Sequence, residues 1–308
     1  MRVLFWGTPD FAVTPLAALL GEGLDIIGVV TQPDRPQGRS RSSVVASPVK
    51  ALALREEIPV LQPTRARDQE FIEEIRKLEP DISVVVAYGQ ILAKEVIDLP
   101  KHGTLNIHAS LLPALRGAAP IQGAILAGFA ETGISIMQMV PALDAGPVLH
   151  QVSTPIGPDE TYGELAMRLS ELGALAIVQA LALMSAGAAT PREQNPTLVT
   201  LAPKITRDSA RIDWTRDAVQ VARGIRAYDP RPAAFTTAGG AEIKLFHPSL
   251  GEGLSGNPGQ VLEAGNELVV ACGDGAVRIS EIQPAGRRRM AAGDWTRGRA
   301  VATGDILG

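Results

Sequence analysis

The sequence predicts an α/β protein, a doubly wound and mostly parallel sheet followed by a small open β-barrel. Three observations carry this reading. Short β-branched runs alternate with Ala- and Leu-rich amphipathic stretches through residues 1–188, the pattern of parallel strands joined by crossover helices. From residue 208 onward, short alternating runs separated by Gly and Pro replace the helical pattern, as in small antiparallel barrels. Aromatic residues make up only 4% of the 308 residues. Ala, Leu, Val and Ile must therefore supply the buried area, which suits helix-covered sheets better than an aromatic-cored sandwich.

The apolar run 2–6 breaks at Gly7 and predicts a buried first strand, with a helix to follow over 10–20. Residues 26–31 predict a second strand. The breaker-rich stretch after it leads through a long loop to Ser47-Pro48, a helix start with a capping hydroxyl and Pro at the first position. Residues 60–61 form a short strand candidate, 68–78 a charged amphipathic helix, and 82–87 a continuous β-branched run suited to a central parallel strand. A strand over 103–108, a helix over 120–127, a strand over 133–139 and an antiparallel edge over 148–154 complete this Rossmann-like half. The longest helical pattern, 161–184, closes at Gly187. Residues 189–207 lack periodicity and read as a linker between a first domain at 1–188 and a second at 208–308. In the second domain a helix over 218–228 precedes five strand candidates at 233–236, 241–246, 259–263, 267–272 and 276–282, an OB-like set.

Composition excludes several function classes. The net charge of −4 argues against a protein that coats nucleic acid by bulk electrostatics. The charge is uneven: residues 1–199 carry 15 Lys and Arg against 21 Asp and Glu, and residues 200–308 carry 14 against 12. A basic stretch, Arg35, Arg39, Arg41 and Lys50, interrupts the acidic half. The single cysteine, Cys272, excludes an intramolecular disulfide, and four scattered histidines leave little for a metal cluster, so no metal is expected. His102, His150 and His247 read as structural. Neither G-x-G-x-x-G nor a Walker motif is present, which removes the sequence support for NAD, FAD or ATP. The apolar runs fall short of the ~20 residues that cross a bilayer, and no secretory signal is legible, so a cytoplasmic protein without a membrane partner is expected.

Residues 106–113, NIHASLLP, follow a predicted parallel strand, and open α/β sheets bind ligands beyond the carboxyl ends of their strands. Asn106 and His108 are two apart, so on a strand an amide donor and an imidazole share one face. Asp144, in LDAG at 143–146, sits on a turn after another strand, flanked by small residues that would let a ligand approach closely. An amide can stabilise an oxyanion, an imidazole can move protons near neutral pH, and a carboxylate can hold its tautomer or accept a proton. Neither Ser110 nor Cys272 lies in a G-x-S-x-G elbow, which disfavours a covalent acyl-enzyme.

NIHASLLP, RGAAPIQ at 116–122 and LDAG together closely resemble the catalytic domain of the formyltransferases that use 10-formyltetrahydrofolate. FWGTPDFA, TQPDRPQGR, VVVAYGQIL, ETGISIMQM, ARIDW and YDPRPAAF extend the resemblance across the whole chain to the branch that formylates methionyl-tRNA. The resemblance implies attack by the α-amino group of methionyl initiator tRNA on the formyl carbon. It implies that Asn106 stabilises the oxyanion, that His108 assists and shuttles protons, and that Asp144 orients His108 or relays the proton. It places Ser110, Leu111, Leu112 and Pro113 at the folate, and Arg35, Arg39 and Arg41 on a loop that enters the acceptor-stem end of the tRNA. Arg223, Arg226, Arg231 and residues 287–289, all arginine, would add phosphate attraction, and the family precedent is a monomer. Two alternatives stand beside it. One is a formyltransferase acting on glycinamide ribotide, an amino sugar nucleotide or another small amine, from which TQPDRPQGR and its basic continuation distinguish the chain. The other is a folate- or RNA-binding module without catalysis, against which the intact Asn106, His108 and Asp144 weigh.

Overall fold

The computed structural model describes residues 1–37, 43–298 and 300–308, with the side chains of 35–37 and 43–44 left undescribed. The chain forms two compact units. One comprises Met1–Pro120, Thr132–Thr154 and Ala166–Leu201, the other Ile121–Glu131, Pro155–Leu165 and Ala202–Gly308.

The first stretch of chain contains β1 (Arg2–Gly7), α1 (Val13–Gly21), β2 (Asp25–Val30) and a short antiparallel ribbon of β3 (Arg35–Gln37) and β4 (Ser43–Val45). Then come α2 (Pro48–Arg55), β5 (Val60–Leu61), α3 (Gln69–Lys77), β6 (Ile82–Val86), α4 (Lys94–Ile97), β7 (Thr104–His108), β8 (Arg116–Gly117) and α5 (Pro120–Ala127). Strands β9 (Glu131–Gln138) and β10 (Val148–Pro155) precede the long α6 (Tyr162–Ser185). Local chemistry sets several boundaries. Ser47 caps α2 by accepting the Lys50 N–H at 3.1 Å, with Pro48 at the first position. Thr161 and Glu164 form a reciprocal capping box at the start of α6, Thr161 N–H to Glu164 Oε2 at 2.9 Å and Glu164 N–H to Thr161 Oγ1 at 3.3 Å.

The sheet of the first unit runs β10-β9-β7-β6-β1-β2-β5. Strands β7, β6, β1, β2 and β5 are mutually parallel, and β9 joins β7 antiparallel. Chain order reverses between β1 and β6, which opens a crevice at the carboxyl ends of the strands. Strand residues alternate between faces. Leu4, Trp6 and Val85 pack with Phe71, Ile72 and Ile75 of α3 on one side. There Trp6 meets Phe71 and Tyr88 edge-on at 5.9 and 5.2 Å and donates its Nε1–H to Ser83 at 3.1 Å. On the other side Ile107 and Ile134 lie against Gly173 of α6, where an added Cβ would come within 3.1 Å of Ile107. Since Ile107 points to α6, its neighbours Asn106 and His108 point to the opposite face.

Contrary to the sequence expectation, one segment, the 24-residue α6, is long and apolar enough to cross a bilayer by length and composition. Its residues Leu165, Leu169, Ala176, Ile177, Ala180 and Leu181 are spent inside the protein, all being buried.

The second unit follows β11 (Leu201–Ala202) with α7 (Ala218–Tyr228), β12 (Phe235–Ala238), β13 (Ala241–Gly251), β14 (Val261–Ala264), β15 (Leu268–Ala271), β16 (Ala276–Pro284), β17 (Met290–Ala291) and α8 (Ala292–Arg297). The order β12-β13-β16-β15-β14, antiparallel throughout and with β17 on β16, makes a curled, open half-barrel. Asp217 caps α7 through the Gln220 N–H at 2.7 Å. Trp214, Val221, Ile225, Leu245, Val270 and Ile279 fill the core between helix and sheet.

Candidate active site

Strand β7 delivers Asn106 and His108 to one face of the sheet edge. Asn106 is opposite Met137 and His108 opposite Ser135 on β9. The Asn106 amide is partly exposed and makes no hydrogen bond within the described residues, so its donors are available to a ligand. His108 is buried, and its Nε2 lies 3.0 Å from the Leu115 carbonyl oxygen. A carbonyl only accepts, so Nε2 carries the proton and donates it, which leaves Nδ1 as a bare lone pair in the neutral ring. That lone pair faces Asp144 Oδ2 at 3.8 Å. Leu115, not Asp144, therefore orients the imidazole. The same Asp144 Oδ2 accepts the Gly117 N–H at 2.8 Å.

Burial pushes the His108 pKa below its ordinary value; the Asp144 charge and the Leu115 hydrogen bond oppose that push, and the Arg116 charge adds to it. The ring is neutral at neutral pH. A proton arriving at Nδ1 would turn the opposed lone pair and carboxylate into an ion pair, so the geometry is that of a base whose charged form already has its partner.

The loop after β7 is tied down from within. Ser110 donates to the Ala114 carbonyl at 2.6 Å. Ser135 donates to the Ser110 carbonyl at 2.6 Å and accepts from the Leu112 N–H at 3.0 Å and the Gln151 amide at 2.9 Å. Ser110 and Leu112 are buried, whereas Leu111 and Pro113 stay half-buried. With its hydroxyl spent on a carbonyl, Ser110 is no nucleophile. Cys272, in the second unit, is buried and its thiol is pushed up to about 12 by that burial. Among the described residues no group of three or more His, Cys, Asp and Glu side chains is placed to hold a metal ion.

The small residues beside Asp144 have a different reason from the one their pattern suggested. A Cβ on Gly146 would lie 1.7 Å from the Gln138 carbonyl oxygen, so glycine is needed for the turn to pack on its own strand. Asp144 itself is in the left-handed region at φ 46°, as is Leu115 at φ 60°. Both strained residues touch His108.

The aperiodic stretch after α6 supplies contacts that sequence reasoning missed. Gln194 accepts from Arg116 Nε and Nη2 at 3.0 and 2.7 Å and donates to the carbonyls of Asp144 and Gly146 at 2.8 and 2.7 Å. Thr200 accepts the Leu115 N–H at 2.8 Å. Nothing in the composition of 189–200 marks either residue, because their partners lie 48 to 85 positions away.

Of the basic residues, Arg39 and Arg41 lie outside the described residues, and Arg35 is described only by its backbone, in β3. Lys50 is bound to Asp34 at 2.5 Å and to Gln62 at 2.7 Å, which holds the Asp34 carboxyl below its usual range and removes Lys50 from the free charge of that stretch. In the second unit Arg289 is also committed. It pairs with the buried Asp229 at 3.1 Å and with Glu281, and lies over the Phe246 ring at 3.9 Å, so it is a structural cation rather than a phosphate contact. Arg223 and Arg226 pair with no carboxylate among the described residues. They line a cavity of about 420 Å3 together with Phe129, Ile156, Val219 and Leu250. The Arg223 guanidinium rests where a Gly128 side chain would stand. Burial, with repulsion from Arg223, holds Arg226 below the usual arginine value, against the pull of Asp159.

A doubly wound sheet with an unengaged amide and a neutral imidazole at its carboxyl edge, and no nucleophile beside them, is built for direct group transfer. The family described as "Formyl transferase" matches residues 1–181, and "Formyl transferase, C-terminal domain" matches 204–300, which makes the class that of the two-domain formyltransferases. Methionyl-tRNA formyltransferases from Magnetococcus marinus and Stutzerimonas stutzeri are 46% and 47% identical to the chain, each over 100% of it and 98% of the relative. The chain belongs to the methionyl-tRNA formyltransferase family. Solved structures share the fold at lower identity. An N-formyltransferase from Helicobacter canadensis with folinic acid and dTDP-3-aminofucose gives a TM-score of 0.70 at 17% identity over 94% of this chain and 100% of that one. A methionyl-tRNA formyltransferase from Clostridium thermocellum gives 0.58 at 16% over 82% and 95%. The backbone alone thus does not separate a sugar acceptor from a tRNA acceptor, whereas full-length identity does.

Proposed function

We propose that this protein transfers the formyl group of 10-formyltetrahydrofolate to the α-amino group of methionyl initiator tRNA, in the cytoplasm, as a step of translation initiation. The full-length identity to methionyl-tRNA formyltransferases carries the reading. The site geometry supports it with a division of labour. The donor supplies an activated formyl carbon, and the half-buried Leu111 and Pro113, on a loop shaped by Ser110 and Leu112, offer it an apolar wall. The Asn106 amide donates to the formyl oxygen as negative charge develops there. His108 Nδ1 takes the proton of the attacking amine and returns it to the departing nitrogen, while Asp144 stabilises the imidazolium between the two transfers.

Arg223 and Arg226, in no ion pair among the described residues and beside apolar surface in the second unit, suit a nucleotide phosphate with its base or sugar, and they extend the tRNA assignment beyond Arg35, Arg39 and Arg41. Transfer of labelled formyl from 10-formyltetrahydrofolate tests the reading, with methionyl initiator tRNA, free methionine and a UDP-amino sugar as acceptors and His108→Ala as control. Transfer to the tRNA that vanishes in the variant is expected. Transfer to the sugar nucleotide instead would keep the chemistry and overturn the acceptor.

A further inference from the structure

Between residues 190 and 198 every residue is exposed except Gln194. Its amide uses all its capacity. The oxygen accepts two N–H groups of the Arg116 guanidinium, and the nitrogen donates to two carbonyls of one turn, those of Asp144 and Gly146. Only a primary amide offers a double acceptor and a double donor on one plane. The guanidinium fixes the plane, and the plane aims both donors at the turn. That turn holds Asp144 at φ 46°, a conformation that a residue other than glycine keeps only when its surroundings impose it.

We propose that Gln194 is a positioning residue for Asp144, locking the turn that sets the Asp144 carboxylate opposite His108 Nδ1. The inference rests on the reading of Asn106, His108 and Asp144 as the reacting groups. It makes the stretch after the long helix part of the catalytic machinery, because the unit that holds the proton partner is completed only when that stretch closes over it.

Two variants separate the halves of the amide. Gln194→Ala removes both. Gln194→Glu keeps the acceptors for Arg116 but sets a carboxylate against two carbonyl oxygens, so the turn loses its donors while the anchor stays. Both variants are expected to lower kcat about 100-fold, the scale of a misplaced catalytic group, with KM for either substrate changed less than about twofold. The charged groups acting on His108 among the described residues are Asp144 and Arg116. In Gln194→Ala, where no new charge is added, loss of the Asp144 support should therefore move the acid limb of kcat/KM to lower pH. General loosening would instead admit water to the ring and move the limb up. A Gln194→Glu variant with wild-type kcat, or a loss of kcat in Gln194→Ala with the acid limb unmoved or raised, would overturn the proposal. Amide hydrogen exchange at Gly117, whose N–H binds Asp144 Oδ2, gives a readout independent of turnover. Faster exchange in both variants supports the lock and unchanged exchange refutes it, even if the wild-type protein proves to formylate a different amine.

Discussion

At the carboxyl edge of the first unit's sheet the ionisable groups are buried or half-buried and engaged. His108 is neutral, Asp144 is held by Gly117, and Arg116 is held by Gln194. Along α7 of the second unit Arg223 and Arg226 carry their charge beside a cavity that Asp159 also lines, and neither forms an ion pair among the described residues. The first arrangement works by position in a low dielectric, where a displaced atom costs far more than a change of salt. The second works by charge that water and counterions screen. Rate and affinity should accordingly respond to different perturbations.

The largest effects should fall on the first region. His108→Ala is expected to lower kcat by about 100- to 10,000-fold and Asn106→Ala by about 100- to 1,000-fold, with the affinity for tRNA unchanged. Steady-state kinetics with separately measured tRNA binding checks this, and a variant whose loss lay in KM would erase the contrast between the regions. For the second region, Arg223→Ala with Arg226→Ala should raise KM for the tRNA and leave kcat intact. The slope of log affinity against log salt should become shallower by about 1 per phosphate contact removed. An unchanged slope would take these arginines out of the tRNA site.

Arg289→Ala sharpens the comparison from within the second unit. It strands the Asp229 carboxylate, 7% exposed, and should cost about 1–3 kcal/mol in chemical denaturation. Its salt slope should match the wild type, since Asp229 and Glu281 already balance that cation. The smallest effect concerns pH. Because the His108 pKa is lowered from 6.5 on folding, the unfolded chain binds the extra proton first. Stability is therefore complete above pH 6.5 and declines below it until the native pKa is reached. Denaturation midpoints of His108→Gln against pH should lack that acid slope.

Much of the element order was legible because periodicity is a local property. Helices α2, α5 and α7 begin at Pro48, Pro120 and Ala218, where the sequence pattern starts them, and β7 ends on His108 as the strand pattern requires. The candidate trio could be proposed for the same reason, since a two-residue spacing on a strand and an Asp on a turn are written in short windows. Three features were not. Lys50 and Arg289 look like free charge until Asp34 and Asp229 are found beside them. The glycine of LDAG looks like room for a ligand until Gln138 fills the space. The apolar length of α6 shows only once its 24 residues form one helix, and part of its apolar surface, Leu165, Leu169, Ala176 and Ile177 included, is buried in the protein.

The sequence by itself determined the main alternation of strands and helices and singled out Asn106, His108 and Asp144 as candidates, because each depends on neighbours a few residues away. Tertiary structure alone decided which proton His108 carries, since Leu115 lies seven residues on and the choice turns on a 3.0 Å contact. It alone decided that an aperiodic stretch near residue 194 holds the turn of Asp144, 50 residues earlier. A hydrogen bond is specified by position in space, and no local pattern records a partner that the chain meets only after folding.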